Sequence, residues 1–538
     1  MILKSLHILE NIGMSSINNK RDENNKVIID RSKPYAAAIV FPNRYSIATA
    51  NLGYQWLYYS VNKSNNFFAE RFTVDNLQSI ESNSYLKNFD IVLFSISFEN
   101  DLFNLINFLQ QSNIPIYANE RDDAFPPLIL GGAITYLNPI PFSKIFDGIV
   151  LGDGENKIDK LLGYYKKNIS KQEYIAQITK EDFVINAIKL DGVLKSGKNN
   201  GEFGAWSVFT SHDSEFSDTF LIEITRGCTH LCRFCGAGYT YLPQRNINSD
   251  ILIKRVETWG RDNSSVGLIS PSPSDHPEIV SIIKILNKMG KRVTLSSIRA
   301  DTVNDEIIKL IKNSGSKTLT IAPEAGSYLE RKVINKDIQN DVFYKFANRA
   351  KNLGFTSLKL YFIIGREDSF EEIYTIIDFL YSMKKNFPGG YLSASFSVFV
   401  PKPNTPFQWR SMVKQSIIKE KIKYLKKEQH KIKINFMFEN IYDAISETLI
   451  ARGDSTVTDA FKSGVEKKQS IKKILKNNNE LLEKFVYSSF EISEVFPWDI
   501  VKSDLNKSFL VSEYNKSKGN IITSSCKIGV CTRCGVCK

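Results

Sequence analysis

Thr219-Phe-Leu-Ile-Glu-Ile-Thr-Arg-Gly-Cys228-Thr-His-Leu-Cys232-Arg-Phe-Cys235-Gly-Ala-Gly238 is the stretch that organises the chain. Its opening residues are a short apolar run of the kind that forms a buried strand. Three cysteines follow on one loop at C-x3-C-x2-C spacing. Soft thiolates suit iron-sulfur clusters, and a set of only three leaves the fourth iron of a cubane open to another ligand. A zinc site completed by His230 is the competing reading, although structural zinc favours closed four-ligand sets built on C-x2-4-C pairs.

The remaining cysteines stand apart from these. The chain has seven, none before Cys228, and the other four close it as Cys526-Lys-Ile-Gly-Val-Cys531-Thr-Arg-Cys534-Gly-Val-Cys537-Lys538. Two tight clusters are not the dispersed pairs of a disulfide-bonded secreted domain, so they read as ligand sets. The spacing C-x4-C-x2-C-x2-C fits either a second 4Fe-4S cluster or one zinc ion.

Downstream of the first strand the pattern alternates between strands and helices, the mark of a parallel sheet wrapped by helices. Six strands are expected: Thr219 to Ile224, Val266 to Ser270, Arg292 to Ser297, Lys317 to Ala322, Phe355 to Ile364 and Tyr391 to Phe399. Between them Glu278 to Met289, opened by Asp275 and Pro277, reads as an amphipathic helix, and Ser369 to Leu380 as another with a serine cap. In barrels of this kind the chemistry gathers just past the strand carboxyl ends. There stand Ser270 to Pro277, Ser297-Ile-Arg299-Ala-Asp301, Ala322-Pro-Glu324-Ala-Gly-Ser327, Lys359-Leu-Tyr361-Phe and Val400 to Pro406. Upstream, Tyr35 to Phe41, Phe89 to Ser97, Pro127 to Leu130 and Asp147 to Leu151 alternate with helices over Leu52 to Val61 and Asp101 to Gln111. This is a second, open α/β sheet, whose ligands would lie beyond the strand ends. After Trp409 the chain turns helical, with Ile417 to Lys433 and Tyr442 to Ala451.

The fold class is therefore α/β: an N-terminal open Rossmann-like sheet, a central partial (β/α)6 barrel of TIM type, and a mostly helical C-terminal region with a cysteine-rich tail. The expected divisions are an extension over 1–34, the Rossmann-like domain over 35–200, the barrel over 201–412, the helical domain over 413–515 and the tail over 516–538. The 538 residues are 42% hydrophobic and 24% charged, which excludes disorder and collagen-like repeats. No apolar run approaches the roughly 20 residues that cross a bilayer. The start reaches Glu10 before any signal-peptide core develops, so the cytoplasm is the expected compartment. A net charge of +12, with basic runs at Lys419 to Lys433 and Lys467 to Lys476, permits a polyanionic partner but equally describes solvated helix faces.

The loop, with Phe234 as the aromatic of C-x3-C-x-aromatic-C, resembles the signature of the radical SAM superfamily. The resemblance implies that Cys228, Cys232 and Cys235 hold a 4Fe-4S cluster and that S-adenosylmethionine (SAM) chelates its open iron. A low-potential donor such as flavodoxin or ferredoxin would supply one electron, and the sulfonium would break to methionine and a 5'-deoxyadenosyl radical. The segments at Ser297, Glu324 and Lys359 resemble a branch of the superfamily carrying an N-terminal cobalamin-binding-type domain. This gives cofactor-binding roles to Phe234, Ser297, Arg299, Glu324, Lys359 and Tyr361. That branch usually has Gly-Leu-Pro after the fifth strand, where this chain has Gly365-Arg366-Glu367.

Leu130-Gly131-Gly132-Ala133 and Leu151-Gly152-Asp153-Gly154-Glu155 resemble the glycine turns of the cobalamin-type domain, placing Gly131, Gly132, Gly152, Gly154 and Glu155 against a bulky cofactor. Tight turns alone would also account for these glycines. The only histidine in the first 200 residues is His7, so any cobalamin would bind without a histidine on cobalt. The absence of cysteine before Cys228 disfavours the methylthiotransferase branch. Pro497-Trp498-Asp499 and the closing cysteines resemble one largely uncharacterised bacterial subfamily. The function expected is modification, with methylation as one outcome, of a macromolecule, RNA or protein. A small-molecule biosynthetic substrate is the alternative within the enzyme class, and a non-catalytic zinc-dependent nucleic-acid-binding protein is the alternative outside it.

Overall fold

The structure, a computed structural model, describes residues 23–155, 157–181, 184–186, 203–501 and 504–537. The first ten residues with their His7, the segment 187–200 expected to end the first domain, and Lys538 lie outside the described residues.

The first sheet comprises β1 (Tyr35–Phe41), β2 (Phe67–Thr73), β3 (Ile91–Ser95), β4 (Leu128–Gly131), β5 (Gly148–Val150) and β6 (Val184–Asn186). Their order is β2-β1-β3-β4-β5-β6, parallel except for β6. Every residue of β3 is buried because the sheet is covered on both faces. Helices α1 (Leu52–Lys63) and α2 (Asp101–Gln111) make two of the crossovers. The strand order reverses between β1 and β3, the point at which open sheets of this type receive ligands. Edge strand β2 was absent from the sequence expectation because Phe-Phe-Ala-Glu-Arg-Phe-Thr carries charges at its centre. Both are buried: Arg71 pairs with Glu23 at 2.6 Å and Glu81 at 2.5 Å, and Glu70 accepts from Arg31 at 2.6 Å.

The barrel strands are β7 (Thr219–Glu223), β8 (Ser265–Ile269), β9 (Arg292–Leu295), β10 (Thr318–Glu324), β11 (Ser357–Ile364), β12 (Tyr391–Val398) and β13 (Asn435–Phe438). They run parallel in sequential order, and a bridge between Ile298 and Ile321 joins the β7–β9 group to the β10–β13 group. Helices α3 (Ser249–Trp259), α4 (Ile279–Lys288), α5 (Asp305–Asn313), α6 (Asn340–Asn352), α7 (Glu371–Lys385) and α8 (Gln415–Ile432) form the crossovers. Alternation along β11 is plain: Leu358, Leu360, Phe362 and Ile364 enter the core shared with these helices.

Two expectations need correction. The six-strand barrel has a seventh strand, because Asn-Phe-Met-Phe, placed in the helical region by its lysine-rich surroundings, pairs with β12 and stacks Phe438 on Phe396 at 5.1 Å. Asp275 does not cap α4. Glu278 occupies the N-cap without a side-chain bond, while Asp275 ends a short 3-10 turn and accepts from His230.

Helices α9 (Ile441–Arg452), α10 (Thr456–Glu466) and α11 (Lys507–Lys518) are the longer helices of the carboxyl-terminal region. Polar bonds tie it and the barrel to the first sheet. Gln55 Oε1 accepts from the amides of Val208 and Phe209 at 2.7 and 3.2 Å, and Asn138 donates to the carbonyls of Ala451 and Gly453 at 3.0 and 2.8 Å. Among the described residues no helix is long and apolar enough to cross a membrane.

Candidate active site

The cysteine loop leaves β7 through Thr225 and Arg226 and is held from behind. Gly227 adopts φ +85°, and a Cβ there would stand 2.4 Å from the carbonyl of Tyr241, so only glycine lets the two backbones approach. Leu231 is left-handed at φ +54° and buried. Its carbonyl accepts from the Tyr239 hydroxyl at 2.8 Å and from Asn335 Nδ2 at 3.1 Å. Arg233, fully buried, donates to the carbonyls of Lys332, Val333 and Ile521 at 3.0, 2.9 and 2.6 Å and pairs with buried Glu513 at 3.2 Å. These bonds occupy the rear of the loop and leave its cysteines to the front.

At the front is a cavity of about 730 Å³ that all three loop cysteines line. On the barrel side the ends of β8, β9 and β10 contribute Ser270, Ser272, Ser297, Arg299 and Glu324. On the other side come the residues past β3, β4 and β5, with the start of α1: Ser97, Gly131, Gly132, Gly152, Gly154, Glu155, Asn51 and Trp56. Both sheets therefore point their carboxyl ends into one space, where general rules for each fold place ligands.

Arg226 joins the two sides. It pairs with Glu223 at 2.7 Å and, across the cavity wall, with Asp153 and Glu155, each at 2.9 Å. Asp153 also takes Arg245 at 2.7 Å and the Tyr136 hydroxyl. Burial alone would raise its carboxyl, but Arg226 and Arg245 outweigh that and hold it at about 2. Burial, reinforced by Cys232 and Cys235, pushes the Cys228 thiol up to about 12; burial also raises Cys232, against the opposing pull of Lys336 and Arg299. Metal ligation would displace these protons.

Glu324 ends β10 at a bulge, in the left-handed region at φ +65°. One carboxylate oxygen receives Lys336 at 3.2 Å. The other, Oε2, is buried without a hydrogen-bond partner. Strain and an unsatisfied acceptor at the wall of a cavity mark a position shaped for a ligand. Arg299 is held by Asp301 through bonds of 3.1 and 2.8 Å.

Of the residues expected from sequence, Phe234, Ser297, Arg299, Glu324, Gly131, Gly132, Gly152, Gly154 and Glu155 line this cavity beside the three cysteines. Lys359 and Tyr361 lie outside its lining, with the ammonium of Lys359 5.1 Å from the Tyr361 ring. Gly132 has a purely structural reason: at φ +103° its Cβ would meet the Ile96 carbonyl oxygen at 2.5 Å. A Cβ on Gly131 would meet only Phe94 O at 3.8 Å, an ordinary contact. Arg226, Asp153 and Lys336 escaped selection, although Arg226 stands two residues before Cys228. His230 offers no spare nitrogen for zinc, since Nε2 lies 2.6 Å from Asp275 and Nδ1 3.2 Å from Ser525 Oγ.

The family model described as "Radical SAM superfamily" matches residues 222–380, and that of "Radical SAM proteins, N-terminal" matches residues 53–193. An uncharacterized protein of Methanocaldococcus jannaschii, MJ0966, is 30% identical over 437 residues, covering 78% of this chain and 89% of its own. This chain belongs to the radical SAM superfamily. Among solved structures, the radical SAM methyltransferase TsrM from Kitasatospora setae, with cobalamin and a 4Fe-4S cluster bound, superposes with a TM-score of 0.51 at 10% identity, covering 83% of this chain and 99% of that one. The cobalamin-dependent SAM radical enzyme OxsB gives 0.49 at 13% identity over 90% and 79%. The likeness to TsrM is one of fold.

As a radical SAM enzyme the protein uses a 4Fe-4S cluster and SAM, and the reaction needs an electron donor. The donor set here fits both groups: three thiols on one loop provide an incomplete soft ligand set, and Glu324 Oε2 is an acceptor awaiting a donor.

Proposed function

We propose that Cys228, Cys232 and Cys235 hold the 4Fe-4S cluster and that this enzyme uses the resulting radical chemistry to methylate a macromolecule, RNA or protein, in the cytoplasm. The observation carrying this reading is the single cavity shared by the thiol loop and the glycine turns of the first sheet. Cavities of roughly 300–1,000 Å³ accept drug-sized ligands, so about 730 Å³ can take SAM and still admit part of a second group. When bound, the cluster and SAM supply a 5'-deoxyadenosyl radical. The chain's own residues do the positioning: Glu324 accepts a hydrogen bond from the amine or ribose of SAM, and Arg299, oriented by Asp301, pairs with its carboxylate. Ser297 adds a hydroxyl at the same wall, and Phe234 shields the loop.

The half of the cavity lined by Gly131, Gly152 and Gly154 would hold one part of cobalamin, which would supply a methyl carrier, in keeping with the fold shared with TsrM. Among the described residues the first sheet carries no histidine, so it would hold cobalamin through its turns and without an imidazole. The net charge of +12 suits a substrate that is itself anionic, and flavodoxin or ferredoxin delivers the electron.

Reconstituted, reduced protein should cleave SAM to 5'-deoxyadenosine, and Cys→Ala at 228, 232 or 235 should abolish it. Unchanged cleavage in those variants overturns the cluster assignment. Deuterium transfer into deoxyadenosine from isotopically labelled RNA, protein and small-molecule fractions of a cell extract then identifies the substrate; transfer confined to the small-molecule fraction overturns the macromolecular reading. Nitrogen hyperfine splitting from an axial imidazole in the cob(II)alamin resonance, or failure to bind cobalamin, overturns that part.

A further inference from the structure

The four cysteines of the tail are not a detached knuckle. The amide of Cys526 donates to the carbonyl of Thr229, between the first two loop cysteines, at 2.8 Å. Asn335 fastens the same join: its Nδ2 reaches the carbonyls of His230, Leu231 and Thr523 at 3.2, 3.1 and 3.1 Å, and its Oδ1 accepts from the Thr523 amide at 2.8 Å. Cys534 is buried in an apolar cluster with Leu231 of the loop and Trp409, Trp498 and Phe509. Two turns fold the tail back on itself, the Cys531 amide donating to the Lys527 carbonyl at 2.9 Å and the Gly535 amide to the Thr532 carbonyl at 3.2 Å. Adjacent Cα atoms are 3.8 Å apart and hydrogen-bonded backbones about 5 Å, which puts the Cα of Cys526 within about 10 Å of that of Cys228.

The two thiol groups differ in exposure. The first faces the cavity between the two sheets. The second borders an exposed turn, Lys527 to Arg533, that presents Ile528 at 47% and Val530 at 78% exposure beside two cationic side chains. A four-thiol set is complete in itself and leaves no open metal position, so it cannot bind SAM. A fully ligated iron-sulfur centre is suited to electron transfer instead, and a small apolar patch beside Lys527 and Arg533, the latter bonded to Cys531 Sγ and Ser524, fits an acidic electron-carrier protein.

We propose that Cys526, Cys531, Cys534 and Cys537 hold a second 4Fe-4S cluster, through which the reducing electron enters on its way to the cluster at Cys228, Cys232 and Cys235. One electron passes from a reduced, low-potential acidic carrier to the oxidised tail cluster, and from there to the oxidised loop cluster. The carrier is oxidised by one electron, and the loop cluster is reduced by one. The relay rests on the loop assignment made above; occupancy of the tail does not.

Full-length protein reconstituted anaerobically with iron and sulfide should carry about eight irons per chain, as two cubanes require. Reduced, it should give two paramagnetic signals, only one of which shifts on adding SAM. About four irons with a single, SAM-responsive signal overturns the proposal without any variant. Cys531→Ser with Cys537→Ser, both outside the buried cluster, should lose about four irons and keep the SAM-responsive signal. SAM cleavage should then survive with dithionite but fall by an order of magnitude with reduced flavodoxin. Loss of one zinc with iron unchanged identifies the tail as a structural zinc site, and unaltered flavodoxin-driven cleavage removes the relay. Cys→Ala at the three loop positions should spare the tail's four irons; in those variants a surviving SAM-responsive signal indicts the loop assignment alone.

Discussion

The guanidinium of Arg226, two residues before the first loop cysteine, holds the carboxylate of Asp153 at 2.9 Å. The chain thus closes a charge pair between the wall of one sheet and the cysteine loop of the other. Breaking a buried pair from one side strands the remaining charge. Arg226→Met should cost about 3–5 kcal/mol in denaturant unfolding, and Asp153→Asn less, because Arg226 retains Glu155 and Glu223. Near-equal costs would show that Arg226 depends on Asp153 alone.

The same pair sets an acid limit. Asp153 has its carboxyl at about 2 in the folded chain, against about 3.9 unfolded. Its contribution is complete above the unfolded value and is lost as pH falls from about 4 toward 2, on the order of 2 kcal/mol. Melting temperatures across that window should fall less steeply for Asp153→Asn than for the parent; identical slopes would assign the acid sensitivity elsewhere.

Glu324→Gln keeps the side chain's shape and removes its charge. A hydrogen bond to a charged group is worth about 1.5–3 kcal/mol, so the dissociation constant for SAM should rise roughly tenfold or more. Cluster absorbance should not change. Loss of the cluster itself would make Glu324 a structural support of the loop.

Gly131 and Gly132 are neighbours with opposite requirements. Gly132→Ala brings strain of about 1–3 kcal/mol plus a clash with Ile96, and should lower the melting temperature. Gly131→Ala should leave it unaltered while weakening cobalamin binding measured by its visible spectrum. Equal thermal losses at both positions would mean that the turn, not a ligand, selects both glycines.

Glu513→Leu removes the partner of Arg233, whose side chain is as buried as the glutamate's. The expected cost is about 3–5 kcal/mol, accompanied by faster loss of iron from the loop on chelator challenge. Full stability would show that the backbone carbonyls around Arg233 suffice.

The cysteine loop and the strand series were legible because ligand spacing and apolar periodicity are local properties of a sequence. What escaped depends on distance. Arg226 and Asp153 are 73 positions apart and meet only through the register of two sheets, so no window of sequence contains both. Strand β2 was hidden by Glu70 and Arg71, charges that read as solvent-facing until Glu23, Arg31 and Glu81 supply partners. Strand β13 was hidden by the lysines of α8 before it. Lys359 and Tyr361 followed a motif resemblance, yet the cavity draws on the ends of β7 to β10, leaving β11 outside its lining.

The clasp made by Asn335 has a consequence for the order in which the molecule is made. A chain emerges from the ribosome amino end first, and the loop at Cys228 appears long before the residues that back it. Ser525 reaches His230 across 295 positions of sequence, Asn335 ties Thr523 to the loop, and the Cys526 amide donates directly to the Thr229 carbonyl. A nascent chain halted before Thr523 would hold the loop through Tyr239 and Asn335 but without the bonds that the tail supplies. The loop's bracing is therefore complete only once the last residues of the chain have been made.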